Sequence, residues 1–318
     1  MKFTFLGTSA GVPTKQRNVT ALALGLEGNK DWCLVDCGEG TQQQLLHTTY
    51  TLSTLAAIFI THVHGDHCYG LPGVLASAGM GGRTAPLKVI APKPLHEFIE
   101  VMLRTTDCYI PYELEFMATE GITEPVEVAG FSVQPFALSH RVPCHAWHFT
   151  ELNIEPKLDT NKLQREGIAR GPLWGRLQSE QKVILDSGQQ IDIKDYCLPP
   201  IEPRRLIVAG DNDQPELLFA AAKGVDLLIH EATYTQAVSD KVGPAPMHSS
   251  AKQLAIFAEQ VKLPNLVMTH FSARYGGRGK NSVEQLRIEA EAHYSGEVYL
   301  AEDFASYELK VGGEVKAL

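Results

Sequence analysis

Residues 61 to 67 read Thr-His-Val-His-Gly-Asp-His and follow directly on the apolar run Leu55 to Ile60. A run of that length, closed by polar residues, reads as a buried strand, so three histidines and an aspartate stand on the loop at its end. Imidazole and carboxylate are the groups that suit zinc and similar divalent ions. A lone histidine is more often a satisfied core residue, but four such side chains within the six positions 62 to 67 reverse that expectation. Their spacing fits neither an i, i+4 helical pair nor a zinc finger. A strand-end loop can turn His62 and His64 toward one ion and Asp66 and His67 toward a neighbouring one.

Further ligands are expected where adjacent strands deliver their ends. The other runs that read as strands are Phe3 to Leu6, Trp32 to Val35, Leu87 to Ile90, Phe131 to Leu138, Leu206 to Ala209, Val225 to Ile229 and Leu266 to Thr269. His140 follows Phe131 to Leu138, Asp211 follows Leu206 to Ala209, and His270 follows Leu266 to Thr269. His62, His64 and His140 then form one donor set, Asp66, His67 and His270 another, and Asp211 bridges them. That is the composition of a two-metal hydrolytic site, which suits displacement at phosphorus.

The 318 residues correspond to about two domains, or to one large domain with an insertion. Helical stretches alternate with several strands. Ser250 with Gln253 is a capping box that opens a helix with Leu254, Phe257, Ala258 and Val261 on one face, and Ser282 with Gln285 repeats the signal. Between about Thr150 and Pro203 the strand pattern fades while proline and charge rise. A structureless loop of that length is improbable in a compact domain, so the segment reads as an inserted, projecting arm with Pro156, Pro199, Pro200 and Pro203 at its base. The six cysteines include no C-x-x-C pair and read as reduced, mostly buried thiols. There is no apolar run long enough for a spanning helix or a signal peptide, and the cytoplasm is the expected compartment. A net charge of −9 argues against nucleic-acid binding by bulk charge. Local basic stretches remain: Lys2, Lys15 and Arg17; Arg274, Arg278 and Lys280; and Lys157, Lys162, Arg165, Arg170, Arg176 and Lys182 in the arm.

With these residues in view, the chain resembles the metallo-β-lactamase superfamily and, within it, the ribonuclease Z family of transfer-RNA 3′-processing endonucleases. The resemblance runs over nearly the whole chain. It rests on the histidine motif together with Phe5 to Pro13, Lys15-Gln16-Arg17-Asn18, Val35 to Gln42, Gly171-Pro172-Leu173, Gly210-Asp211, His230-Glu231-Ala232-Thr233 and His248-Ser249-Ser250. It implies an α/β fold, a four-layer αβ/βα sandwich over 1–318, in which 150–203 is a tRNA-binding exosite arm. It further implies two zinc ions per subunit, in donors that manganese or cobalt also suit, and a cytoplasmic homodimer without membrane association. The reaction implied is cleavage of precursor tRNA 3′ of the discriminator base, leaving a 3′-hydroxyl on the tRNA and a 5′-phosphate on the trailer. Asp36 is then a support for the ligand loop, or a plain strand cap. Glu231 and His248 are the pair in which a carboxylate orients an imidazole to protonate a leaving oxygen, unless His248 only opens the helix at Ser250. Asp66 is the candidate acceptor of the water's proton. Lys15, Arg17 and Asn18 resemble the segment that reaches the acceptor-stem end, the Gly7 to Gly11 turn could bond phosphate, and Gly171, Pro172 and Lys182 belong to the arm's RNA-binding signature, with Leu173, Trp174 and Leu177 as an apolar anchor.

Two departures stand out. Asn212 takes the place of the family's usual threonine after Gly210-Asp211, and Leu177 to Lys182 replaces a more basic run, which lowers the charge expected of the arm. The competing function is hydrolysis of a small ester, sulfate or cyclic nucleotide, which has no use for a basic arm. A non-catalytic RNA-binding module is disfavoured by the complete ligand set.

Overall fold

The apolar runs that end in candidate ligands are strands of two sheets. In the computed structural model the first sheet has the spatial order Val315–Ala317, Ser306–Leu309, Lys2–Gly7, Ala21–Gly25, Trp32–Val35, Leu55–Phe59, Leu87–Ala91, Leu114–Ala118. The second runs Glu297–Leu300, Asn265–Thr269, Leu227–Glu231, Arg205–Ala209, Cys144–Glu151, Phe131–Leu138, Val126–Val128. The structure describes every residue except Asn153, Glu155, Pro156, Asp186, Ser187 and Pro200, and every other side chain except that of Lys280. Pro156 and Pro200 at the expected arm base, and Lys280 of one basic stretch, therefore lie outside the described residues.

Side chains alternate across the first sheet with the period of two that a pleated strand imposes. Phe3, Phe5, Leu22, Leu24, Cys33, Val35 and Phe59 face one core, while Ala21, Ala23, Trp32, Leu34 and Ile58 face the other. Both faces are covered, which is why these strands read as continuous apolar runs. The first core lies between the sheets: Phe59 packs against Trp147 at 5.0 Å and against Phe149 at 5.4 Å between ring centroids. The second lies under helices Leu71–Met80 and Pro94–Thr105. On the far side, Leu254, Phe257, Leu286 and Ala290 bring helices Ala251–Gln260 and Glu284–Glu291 onto the second sheet. The layers are helix, sheet, sheet, helix.

Ser250 and Gln253 form the expected reciprocal capping box. The helix after Ser282 begins later than its sequence signal, at Glu284. Val283 already has helical dihedral angles, Gln285 N–H goes to the Ser282 carbonyl at 3.1 Å, and the Ser282 hydroxyl accepts the Glu284 N–H at 3.2 Å, a one-sided cap in place of a reciprocal box. The run from Val225 becomes the strand Leu227–Glu231, because Val225 closes a turn onto the Ala222 carbonyl. Strands that sequence did not reveal include Ala21–Gly25, Leu114–Ala118, Cys144–Glu151 and Ser306–Leu309.

The strands Trp32–Val35, Leu55–Phe59, Leu87–Ala91 and Leu114–Ala118 run parallel, as do Arg205–Ala209, Leu227–Glu231, Asn265–Thr269 and Glu297–Leu300. Open sheets of this kind place ligand sites beyond the carboxyl ends of their parallel strands. His62, Asp211 and His270 all stand just past such ends, and the pairing of Glu231 with Thr269 sets Glu231 beside the turn into His270.

The chain divides into two compact units, Met1–Thr150 with Arg204–Leu318, and Glu151–Pro203. The second contains helices Thr160–Arg165 and Pro172–Glu180 and the hairpin Lys182–Ile184/Gln190–Asp192. Leu163, Ile168, Leu177, Val183, Ile191, Ile193 and Tyr196 are its own small core. Asp159 caps its first helix by accepting from Lys162 N–H at 2.9 Å. No helix among the described residues is long and apolar enough to cross a membrane.

Candidate active site

His62 Nε2, His64 Nδ1 and His140 Nε2 converge, with 3.1 Å between His62 and His64 and 3.1 Å between His140 and His64. Asp211 Oδ2 completes this set at 3.7 Å from His62 and 3.6 Å from His140. Beside it, His67 Nε2 lies 3.3 Å from His270 Nε2, and Asp66 Oδ2 is 3.5 Å from His67 and 3.3 Å from His270. Asp211 Oδ1 joins this second set, 3.4 Å from each of the two imidazoles. The structure thus brings together all seven expected donors, with one carboxylate dividing its oxygens between the two groups.

These groups fit a divalent metal. Donors bound at roughly 2.0–2.1 Å to one tetrahedral ion lie about 3.4 Å from each other, which is the spacing seen here. Asp211 Oδ1 is shielded from water yet accepts no hydrogen bond, a state that is costly unless another electropositive partner takes the lone pairs. The pKa pattern has the same origin. Burial resists the charge on Asp66 and Asp211, but the surrounding imidazoles hold both carboxylates well below their usual range. Burial also opposes charge on His67, and Asp211, Asp36 and Asp66 outweigh it, raising that ring well above its ordinary value. Burial first, and then the neighbouring imidazoles of His140 and His248, keep His64 and His140 low. Three carboxylates in one desolvated place favour a cation.

The ring nitrogens that point inward are fixed from behind. Asp36 Oδ2 takes the His67 Nδ1 proton at 2.7 Å and the Thr61 hydroxyl proton at 2.9 Å. Having donated, the Thr61 oxygen accepts from His62 Nδ1 at 3.0 Å, so Nε2 of both histidines keeps its lone pair. Glu231 repeats the scheme on the second sheet. Its Oε2 takes the Thr233 hydroxyl proton at 2.6 Å, and the Thr233 oxygen lies 3.1 Å from His270 Nδ1. Its Oε1 lies 3.1 Å from His248 Nδ1. His140 Nδ1 donates to the Met247 carbonyl at 3.0 Å. Asp36, Met247 and His270 all have φ between 56° and 59°, a left-handed conformation that non-glycine residues adopt at a cost and that tends to collect at functional sites. Gly210 is required next to Asp211, since a Cβ there would meet Cys144 Sγ at 2.6 Å and the Thr61 Cβ at 2.6 Å.

His248 lies 3.9 Å from Asp211 and is mostly buried. Burial opposes its charge, but the Glu231 carboxylate raises it to about 9. Cys68 is a buried thiol, pushed up to about 12 by burial. His230 makes a contact that the sequence did not disclose: its Nδ1 donates to the Glu231 carbonyl at 2.7 Å, and Asn212 Nδ2 donates to its Nε2 at 3.1 Å. Asn212 therefore does more than keep a polar group after Asp211.

The segments expected to meet substrate bond extensively to the chain itself. Arg17 donates to Thr8 Oγ1 at 2.7 Å and to the Ala301 carbonyl at 2.6 Å, and lies over the Phe271 ring. Asn18 N–H goes to Asp303 and its Nδ2 to the Glu39 carbonyl. Lys15 is exposed. Gly11 N–H donates to Asp66 Oδ2 at 2.7 Å, and Ser9 pairs with Phe271, so the Gly7–Gly11 turn braces Asp66 and the residue after His270. In the smaller unit Gly171 and Pro172 are exposed, Arg176 pairs with Glu180 and Lys182 with Asp192. Leu177 is buried in that unit's own core, with Leu173 and Trp174 packed against it.

Comparison with known proteins places these features. The chain is 53% identical to the ribonuclease Z of Marinobacter nauticus over 98% of its own length and 97% of that protein's. The chain belongs to the ribonuclease Z family. As a member it is a metal-dependent hydrolase of the endoribonuclease type. Among solved structures it matches the short form of human tRNase Z with a TM-score of 0.66 at 25% identity, covering 98% of this chain and 100% of that one. A metallo-β-lactamase-fold protein of Bacillus subtilis, YhfI, matches with a TM-score of 0.65 at 18% identity, covering 96% of this chain and 98% of that one. The four layers are therefore the metallo-β-lactamase fold. A family model described as anti-Pycsar protein Apyc1 matches residues 1–120 only, a part that holds four of the seven donors and lacks His140, Asp211 and His270.

The Thr61 relay has a measurable consequence. In Thr61→Val the methyl group fills the hydroxyl's place, leaving His62 Nδ1 without its acceptor. Zinc titration by calorimetry should show affinity lowered by roughly 10- to 100-fold with the circular dichroism spectrum retained; wild-type affinity would sink the relay.

Proposed function

We propose that this protein is a zinc-dependent endonuclease that cuts precursor tRNA 3′ of the discriminator base, leaving a 3′-hydroxyl on the tRNA and a 5′-phosphate on the trailer. The observation that carries the reading is the division of Asp211 between two donor sets. His62, His64, His140 and Asp211 would hold one zinc ion, and Asp66, His67, His270 and Asp211 a second. Two such ions supply charge to neutralise phosphate oxygens and a water that ionises near neutral pH. The family relationship, at 53% identity over 98% of the chain, supports tRNA as substrate. In this reading Asp66 accepts the attacking water's proton. Glu231 holds His248 Nδ1, which leaves Nε2 to protonate the departing ribose 3′-oxygen. Arg17 and Asn18 set the shape of the loop that carries Lys15 toward the RNA, and the unit Glu151–Pro203 grips the tRNA body through shape and phosphate contacts. The protein acts in the cytoplasm as a homodimer, for which the exposed Leu46, Met80 and Tyr109 offer apolar surface.

Incubation with a 3′-extended precursor tRNA, followed by sequencing of both product ends, tests the reaction. Products ending at the discriminator base with a 5′-phosphorylated trailer are expected; hydrolysis of small diesters without any RNA cleavage would establish the alternative.

The assignment of His248 makes a sharper statement. His248→Ala should keep metal and substrate binding and lose turnover on RNA by a factor on the order of 10² to 10⁴. Hydrolysis of bis-(p-nitrophenyl) phosphate, whose leaving group needs no proton, should fall much less. An equal loss on both substrates would make His248 structural.

Leu158 and Cys197 face each other as an antiparallel bridge, so removing Asp159–Tyr196 closes the chain on adjacent backbone. This deletion should raise KM for precursor tRNA while small-diester hydrolysis persists. Loss of both activities would show that the segment supports the catalytic unit itself.

A further inference from the structure

Two residues past His67, between the buried Cys68 and Gly70, stands Tyr69, 62% exposed. Nothing in the mechanism above uses it. Together with Val12, Pro13, His64, Gly65 and Asp66 it lines a cavity of about 400 Å³, so an exposed aromatic ring and two of the candidate donors open onto the same space. The ring is held in place. A Cβ on Gly65 would fall 2.2 Å from Tyr69 Cε2, so the ring edge occupies the room that a side chain at position 65 would take. Phe98 lies nearly parallel to it, at 25° with 6.5 Å between centroids. Val12, on the same cavity, is 57% exposed. A fixed, solvent-facing π surface beside a site for a charged phosphate matches a ligand that joins anionic groups to flat aromatic ones in each repeat, which is the chemistry of a nucleic-acid strand. Base stacking on such rings tolerates any sequence, because every base has a π face.

We propose that Tyr69 is the stacking platform for the nucleobase adjoining the scissile phosphate, which holds the single-stranded end of the substrate across the donor sets. The proposal rests on the nuclease reading of the preceding section. Stacking makes the ring itself matter, more than its bulk. Tyr69→Phe and Tyr69→Trp should therefore retain the wild-type KM for precursor tRNA, whereas Tyr69→Leu and Tyr69→Ala should raise it on the order of tenfold. A direct readout comes from precursors carrying 2-aminopurine on one or the other side of the cleavage site. Binding to the wild-type protein should quench fluorescence at one of the two positions, and binding to Tyr69→Leu should not. An unchanged KM in Tyr69→Leu, or quenching that survives in that variant, would overturn the platform. A wild-type protein that bound this RNA without cutting it would count against the nuclease reading alone, since the fluorescence would still report whether the base stacks.

Discussion

Asp211 is a carboxylate buried among five imidazoles, those of His62, His67, His140, His248 and His270, each within 4 Å. An ionised group removed from water is expensive unless opposite charge and hydrogen-bond donors replace the solvent. Among the described residues no hydrogen bond reaches Oδ1. Much of the surrounding architecture follows from keeping this group charged. The neighbouring rings must present nitrogens toward it, the residue before it must be small enough for Thr61 and Cys144 to close in, and the strands bearing the rings must end at one level.

Fixing the rings is a separate task, and the chain solves it twice with the same parts. Asp36 on the first sheet and Glu231 on the second each bind one imidazole directly and a second through a threonine hydroxyl. A carboxylate can only accept, so each threonine must donate to it, and the hydroxyl oxygen can then only accept from the histidine. The tautomer is thereby transmitted through the hydroxyl. Both carboxylates take backbone N–H bonds as well: Thr61 N to Asp36, and Thr233 N and Ser249 N to Glu231. These bonds replace part of the hydration that both carboxylates give up on burial.

The donors themselves were legible in the sequence because they combine a distinctive chemistry with a distinctive place, the end of an apolar run. What supports them was not. The carbonyl of Met247 and the N–H of Gly11 belong to the backbone and leave no mark on residue identity, and Thr61 and Thr233 look like any other threonine until a carboxylate and an imidazole flank them. Strands such as Ala21–Gly25, rich in small residues, carry too weak a pattern to be seen. The segment 151–203 hid its helices and hairpin for a different reason: elements of three to nine residues are too short for periodicity to show. Arg17 and Asn18 illustrate the limit of reading charge and polarity alone, since both side chains turn to partners on their own chain.

The two sheets are joined by unlike materials at different places. Between their faces the contact is aromatic, Phe59 against Trp147 and Phe149, with Phe131 behind. At the mouth it is ionic, His62, Asp66 and His67 from the first sheet facing His140, Asp211 and His270 from the second. Protons and divalent cations act strongly on the second kind of contact and hardly at all on the first. The sandwich is therefore stiff at its base and chemically adjustable at its rim, so amide exchange near the strand ends should follow the solution composition while the strand centres keep a constant protection.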